Sequence, residues 1–204
     1  MGAALLAALA CTGAAPVGDE LVEPARLDPT IRLDLRYATS ENFTGTPVYP
    51  AARCWLRRYV AERLVRVQQR LRHEGLGLLL WDCYRPFSVQ RAFWDRVPDA
   101  RYVAEPVVRD GVPVEGSKHN RGAAVDLTLV DAEGRPLPMP TDFDDFSARA
   151  NRDAGDAPAE ARANRSKLEA AMVSEGFLPL PTEWWHFDGP GWERYGILDR
   201  PLDP

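Results

Sequence analysis

Positive charge is in short supply: 25 Lys and Arg stand against 30 Asp and Glu, a net charge of −5. Without a basic surplus to neutralise phosphates, the chain does not read as a nucleic-acid binder. Its densest basic spot, Arg57–Arg58 in "CWLRRYVAERLVRVQQRLR", belongs to an amphipathic helix pattern, where such charges form a solvated face. Histidine and cysteine are scarce too, at three each, and they form neither an HExxH nor a CxxC motif. The best-known zinc-hydrolase signature and the cysteine zinc sites are therefore absent. The apolar run "MGAALLAALAC" is too short to span a bilayer as a mature helix. No internal repeat or long low-complexity tract follows residue 20.

What remains is ordinary globular material. A length of 204 residues, 45% hydrophobic and 27% charged, suits one soluble domain with a sizeable core. The first residues stand apart. Their apolar run resembles the hydrophobic region of a secretory signal, and small residues directly before Cys11 resemble a bacterial lipoprotein cleavage site. Against this, no Lys or Arg precedes the run, and Ala8 stands where such sites usually carry leucine. The competing reading is an unstructured Ala-rich terminus. We expect residues 1–20 to be a signal or lipoprotein segment and tether, with Cys11 as the candidate lipidation site and membrane anchor, and 21–204 to be the single globular domain. With Cys11 set aside, Cys54 and Cys83 form an even pair: a disulfide in an oxidising compartment, or two buried thiols. The expected location is the periplasm or cell envelope, with the cytoplasm as the alternative.

Hydrophobic patterning supplies the elements. "TIRLDLRYA" (Thr30–Ala38) alternates like a half-buried strand. Residues 51–74 carry a helical stripe of Leu56, Val60, Leu64, Val67 and Leu71, stopped by Gly75. The apolar strand "GLLLWDCY" follows, then Arg85–Pro86 at a strand-to-helix turn and the helix "SVQRAFWDRV". In "SKHNRGAAVDLTLV" (Ser117–Val130) a strand places Ala124, Asp126 and Thr128 on one face, with His119 at its opening. "PAEARANRSKLEAAMVSEGF" reads as a helix and "FLPLPTEWWHFD" as a closing strand. Mixed helices and strands without regular βαβ alternation predict an α+β domain with a mainly antiparallel sheet flanked by helices.

Of the three histidines, His73 lies at a helix end, where a cation suits the dipole, and reads as structural. His119 and His186 keep different company. Asp126 puts a charge on a strand face, which costs free energy unless it is paired or bound to metal. Two imidazoles and one carboxylate are a sufficient ligand set for a catalytic zinc, and His119, Asp126 and His186 supply them. Glu183 is then free to act as general base on the attacking water. The competing reading of these residues is a carboxylate–histidine hydrogen bond in the core. Strict alternation would put Glu183 and His186 on opposite faces, so a bend or bulge is predicted between them.

"SKHNRGAAVD" fits the pattern S-x-H-x-x-G-x-A-x-D, and "EWWH" fits E-x-x-H. The match continues in "LRYATSENFTG", "LLLWDCYRP", "PMPTDFDDF" and "NRSKLEAAMVSEGF", in order over roughly residues 20–200. The chain thus resembles the VanX-type D-alanyl-D-alanine dipeptidases, within the zinc D,D-peptidases of peptidase family M15. The resemblance implies the zinc D,D-peptidase (hedgehog-like) fold, one zinc ion per chain and a small D,D-dipeptide as substrate, with no obligate protein partner. It implies His119, Asp126 and His186 as zinc ligands, Glu183 as catalytic base and Arg85 as the oxyanion-stabilising arginine. Tyr37, Ser117 and Asp144 fall where the family contacts the dipeptide; otherwise they read as a strand aromatic, a loop hydroxyl and a helix cap, and Arg85 as a surface residue before a turn. The family commonly has glycine where this chain has Cys83, a departure that a bond to Cys54 would explain. Two other functions compete: a D,D-carboxypeptidase trimming peptidoglycan stems, and a zinc-dependent cell-wall binding module without catalysis. A binding module needs neither Glu183 nor Arg85. The acids of "PTDFDDF" favour the dipeptidase, because a free dipeptide carries an ammonium that needs a carboxylate.

Overall fold

The structure is a computed structural model that describes residues 20–203, so the N-terminal segment and the reading of Cys11 lie outside it. In chain order the elements are β1 (Leu21–Val22), α1 (Pro24–Leu27), β2 (Arg32–Leu33), β3 (Leu56–Arg57), α2 (Arg58–Arg72), β4 (Gly77–Asp82), α3 (Phe87–Arg96), β5 (Val107–Arg109), β6 (Val112–Glu115), β7 (Ala124–Val130), α4 (Ala159–Ser174), β8 (Leu178–Pro179) and β9 (His186–Asp188). The main sheet has five strands in the order β2-β4-β7-β9-β8. Only the β2–β4 pair is parallel, so the domain is α+β with a mainly antiparallel sheet.

One face of the sheet makes the core. Leu78 and Leu80 of β4 and Val125, Leu127 and Leu129 of β7 meet Val60, Leu64 and Val67 of α2 and Leu168 and Met172 of α4. Each such side chain contributes about 1.5–3 kcal/mol through burial, and that stripe is what holds two helices against the sheet. Gly75 and Gly176 stop α2 and α4 at φ +71° and +87°, a left-handed conformation that L side chains rarely adopt. The other face of β7 carries Ala124, Asp126 and Thr128, and it is there that the polar centre forms.

Three expectations are corrected. "TIRLDLRYA" gives only two strand residues before a 3-10 turn at Arg36–Ala38, because Leu33 lies exposed at the sheet edge and the alternation lapses. Tyr37 therefore sits on a turn, not a strand. His119 does not open β7; it belongs to a 3-10 turn at Lys118–Arg121, closed by Gly122 at φ +67°. "FLPLPTEWWHFD" is a hairpin: Leu178 pairs with Asp188 and Pro179 with Phe187. The bend predicted before His186 is thus a full reversal. Pro179 and Pro181 cannot donate to a ladder, and Glu183 N donates to the Leu180 carbonyl at 3.3 Å to tighten the loop.

Candidate active site

Sheet register assembles the floor of the site. Asp126 of β7 is paired with Asp82 of β4 on one side and with His186 of β9 on the other. A register shift between Leu80 and Asp82 makes this row; the unshifted ladder would set Trp81 opposite Asp126. His119 arrives from the 3-10 turn, whose first turn is capped by Ser117 and Asn120 in a reciprocal capping box. His186 Nδ1 lies 2.9 Å from Asp126 Oδ1 and 3.1 Å from His119 Nε2, and His119 Nε2 lies 3.3 Å from Asp126 Oδ2. All three side chains are buried.

The remaining ring nitrogens are held. His119 Nδ1 faces the Cys83 carbonyl at 2.6 Å, and a carbonyl only accepts, so Nδ1 carries the hydrogen and Nε2 presents its lone pair. His186 Nε2 donates to Asp188 Oδ1 at 2.9 Å, which leaves Nδ1 for the centre. Burial opposes charge on His186, yet the hydrogen bonds to Asp126 and Asp188 outweigh it and push its pKa up to about 10. Burial likewise opposes the Asp126 carboxylate, but His119 and His186 hold it well below the usual range. The triangle therefore attracts positive charge. One ligand atom from each of the three residues lies within 4.8 Å of the others, and this donor set with its two oriented imidazoles fits a tetrahedral divalent cation such as zinc.

The other predicted residues gather around the same cavity, of about 230 Å³. That is below the ~300–1,000 Å³ of sites for drug-sized ligands, so the occupant is small. A larger hollow of about 940 Å³ shares Phe43 and Asp144 with this cavity and contains none of the triangle. Glu183 projects from the hairpin loop with Oε2 3.9 Å from His186 Nδ1, and burial raises its pKa. The loop's indoles fix it: Trp184 is fully buried and donates through Nε1 to Thr141 at 2.8 Å, and Trp185 packs edge-on against Phe143.

Arg85 is not a surface residue. Asp82 Oδ2 accepts from its Nε and Nη2 at 3.1 and 2.6 Å, Gln90 accepts from Nη1 at 2.7 Å, and the guanidinium lies over the Phe93 ring at 4.6 Å. Of its five N–H groups, three are engaged in these bonds; the fork is rigid before any ligand arrives. Tyr37 donates to both oxygens of Asp144, at 3.1 and 3.0 Å. Asp144 caps no helix; it sits at φ +59°, an uncommon backbone state for a residue with a side chain. Burial first, then the charge of Asp126, raises its pKa well above the ordinary value. Ser117 lines the cavity and accepts from the His119 backbone N–H at 3.2 Å. Cys54 and Cys83 are bonded to one another, their Cα atoms 5.2 Å apart.

Sequence reasoning missed four supporting groups. Asp82 breaks an apolar strand as Asp126 does, and the same desolvation argument applied to "WDCYRP" would have found it. Asp188 follows His186 by two residues, the spacing that puts both on one strand face. Gln90 and Arg152 left no such signal. Arg152 donates to the carbonyls of Leu180 at 2.8 Å and His186 at 2.7 Å, gripping both ends of the loop that bears Glu183.

A centre of three protein donors, open on one side to a small cavity with an acid at the opening, is the arrangement of metal-dependent hydrolases. The family is more particular. Residues 18–201 match the model of peptidase family M15, D-Ala-D-Ala dipeptidase, and the chain belongs to that family. It is similar to the D-alanyl-D-alanine dipeptidase of Escherichia coli (strain K12), 36% identical over 179 residues, covering 88% of this chain and 89% of that one. The D-alanyl-D-alanine dipeptidases of Streptomyces coelicolor and Enterococcus faecium are 38% and 33% identical, each match covering 77% of this chain and 85% of theirs.

Proposed function

We propose that the protein hydrolyses D-alanyl-D-alanine to two molecules of D-alanine, with zinc held by His119 Nε2, Asp126 and His186 Nδ1. The observation that carries this reading is the convergence of those three donors beside Glu183 in a cavity sized for a small molecule. When bound, zinc supplies Lewis-acid polarisation of the scissile carbonyl and acidifies water. The chain's own residues do the rest. Glu183 accepts a proton from the attacking water as the C–O bond forms, and returns it to the leaving nitrogen as the amide C–N bond breaks. The raised pKa of Glu183 suits both halves of that transfer. Arg85, locked by Asp82 and Gln90, directs its remaining N–H groups to the developing oxyanion. Asp144 receives the substrate ammonium, since a buried carboxylate with a raised pKa is relieved when a cation arrives. Ser117 and Tyr37 line the same cavity and complete the dipeptide site in this reading.

The Asp144 site favours a free dipeptide over an acylated stem, which has no ammonium to place there. The bonded Cys54–Cys83 pair supports action in an oxidising envelope compartment, where the substrate comes from wall turnover and D-alanine is salvaged. Purified protein incubated with D-Ala-D-Ala and with L-Ala-L-Ala, with and without a zinc chelator, tests the reading. Chelator-sensitive cleavage of only the D,D compound is the expected result. Zinc-containing protein that leaves D-Ala-D-Ala intact but releases D-alanine from an acylated stem peptide would make it a D,D-carboxypeptidase.

A further inference from the structure

The β4–β7 ladder ends at the pair Asp82–Asp126, and Cys83 is the first residue beyond β4. No strand partner holds Cys83, yet both of its backbone groups are committed to the active centre. Its carbonyl accepts from His119 Nδ1 at 2.6 Å, and its N–H donates to Asp82 Oδ1 at 2.9 Å. Asp82 in turn anchors Arg85 through Oδ2. One peptide backbone thus sets the ring angle of a candidate metal ligand and the seat of the arginine. What holds that backbone is the stretch beside it: the side chain of Cys83 is bonded to Cys54, and Tyr84 N donates to the Trp55 carbonyl at 2.9 Å.

We infer that the Cys54–Cys83 disulfide is a positioning element of the active centre, splinting residue 83 so that His119 and Arg85 stand in register. The inference rests on the functional reading above for the roles of those two residues. Reduction replaces a covalent bond by a contact between two sulfurs in a close-packed interior, so residues 54 and 83 must move apart, and any movement of 83 is passed to His119 and Asp82. Both cysteines are fully buried, so thiols in solution do not reach the bond in the folded protein. It is made during folding, when a disulfide-type oxidant takes two electrons and two protons from the paired thiols. Full activity is thereby tied to folding under oxidising conditions.

The test compares the oxidised protein with the Cys54→Ala/Cys83→Ala variant. Zinc affinity of the metal-depleted proteins is measured by competition with a chromogenic chelator, alongside kcat and KM for D-Ala-D-Ala. We expect a zinc affinity about 10–100-fold weaker and a comparable fall in kcat, the usual cost of losing an outer-shell support, with KM little changed. Leu71→Ala serves as the stability control: it opens the core at the opposite end of β4 and should lower Tm while leaving zinc affinity alone. If the cysteine variant loses Tm but keeps parental zinc affinity and kcat, the bond only stabilises the fold and the inference falls. The unmutated chain gives a second measurement, refolded with oxidised glutathione or with a phosphine reductant. Weak zinc binding by the folded reduced form supports the inference; parental binding, or failure of the reduced chain to fold at all, overturns it. Zinc affinity needs no substrate, so oxidised protein that binds zinc tightly yet spares the dipeptide counts against the proposed function and not against this inference.

Discussion

His186 Nε2 donates to Asp188 Oδ1 at 2.9 Å, two residues further along β9. The strand that brings the imidazole to the centre therefore also brings the acceptor that orients it. Alternation makes this automatic, since residues i and i+2 share a face. Asp188→Ala is expected to weaken zinc binding about 10–100-fold. Asp188→Asn should recover most of that, because an amide oxygen still accepts from Nε2. Equal losses in the two variants, read by chelator competition, would contradict the assignment.

Glu183 separates binding from chemistry. Glu183→Gln keeps size and polarity but cannot take a proton, and none of the three metal donors is touched. Zinc content should stay at one ion per chain while kcat falls about 10²–10⁴-fold. Metal analysis beside single-turnover hydrolysis decides it. A variant that loses zinc along with activity would instead make Glu183 part of the metal site.

Asp144 sets function against stability. Its folded pKa is raised above the unfolded value, chiefly by burial. The folded state then holds the proton more tightly than the unfolded state, so stability falls as pH rises from the unfolded pKa toward the folded one. At neutral pH the carboxylate is a liability to the fold. Asp144→Asn keeps the acceptor for the Tyr37 hydroxyl and should raise Tm at pH 7, with a smaller gain at pH 4. The same change should raise KM for the dipeptide by removing the partner of its ammonium. A lower Tm at pH 7 would refute the argument.

Arg152 binds the loop from behind. Its guanidinium reaches the carbonyls of Leu180 and His186, and its own backbone N–H donates to Pro181 at 2.9 Å. Arg152→Met keeps an unbranched side chain but removes the guanidinium from over the Phe187 ring and from Glu169. With it go two charged hydrogen bonds at about 1.5–3 kcal/mol each, leaving the two carbonyls only their backbone donors at 3.3 Å. A looser Glu183 should cost on the order of 10²-fold in kcat, and Arg152→Lys should rescue part of it. Tm and kcat measured together test this; a lower Tm with normal kcat would leave Arg152 a purely structural residue.

Local pattern alone determined a good deal of this protein. Of the expected stripe, Val60, Leu64, Val67 and Leu71 lie on α2 while Leu56 falls in β3 before it. These four, the apolar run of β4 and the Gly75 and Gly176 stops are visible because hydrophobic period and helix termination are properties of neighbouring residues. The motifs around His119, Asp126, Glu183 and His186 were legible for the same reason: each is a short spacing within one segment. What local pattern misread was long-range pairing. "FLPLPTEWWHFD" looks like one strand until β8 and β9 pair with each other, and only that reversal brings Glu183 and His186 to one side. The register shift before Asp82 and the grip of Arg152 also depend on which strands meet and at what offset. Whether Cys54 and Cys83 bond is a matter of distance between residues 29 apart in the chain, which no count of cysteines settles. The sequence determined which side chains were available for the chemistry, through residue type and short spacing. Register, loop closure and burial decided which of them converge, because contact between residues 82, 119, 126, 186 and 188 exists only once the sheet has formed.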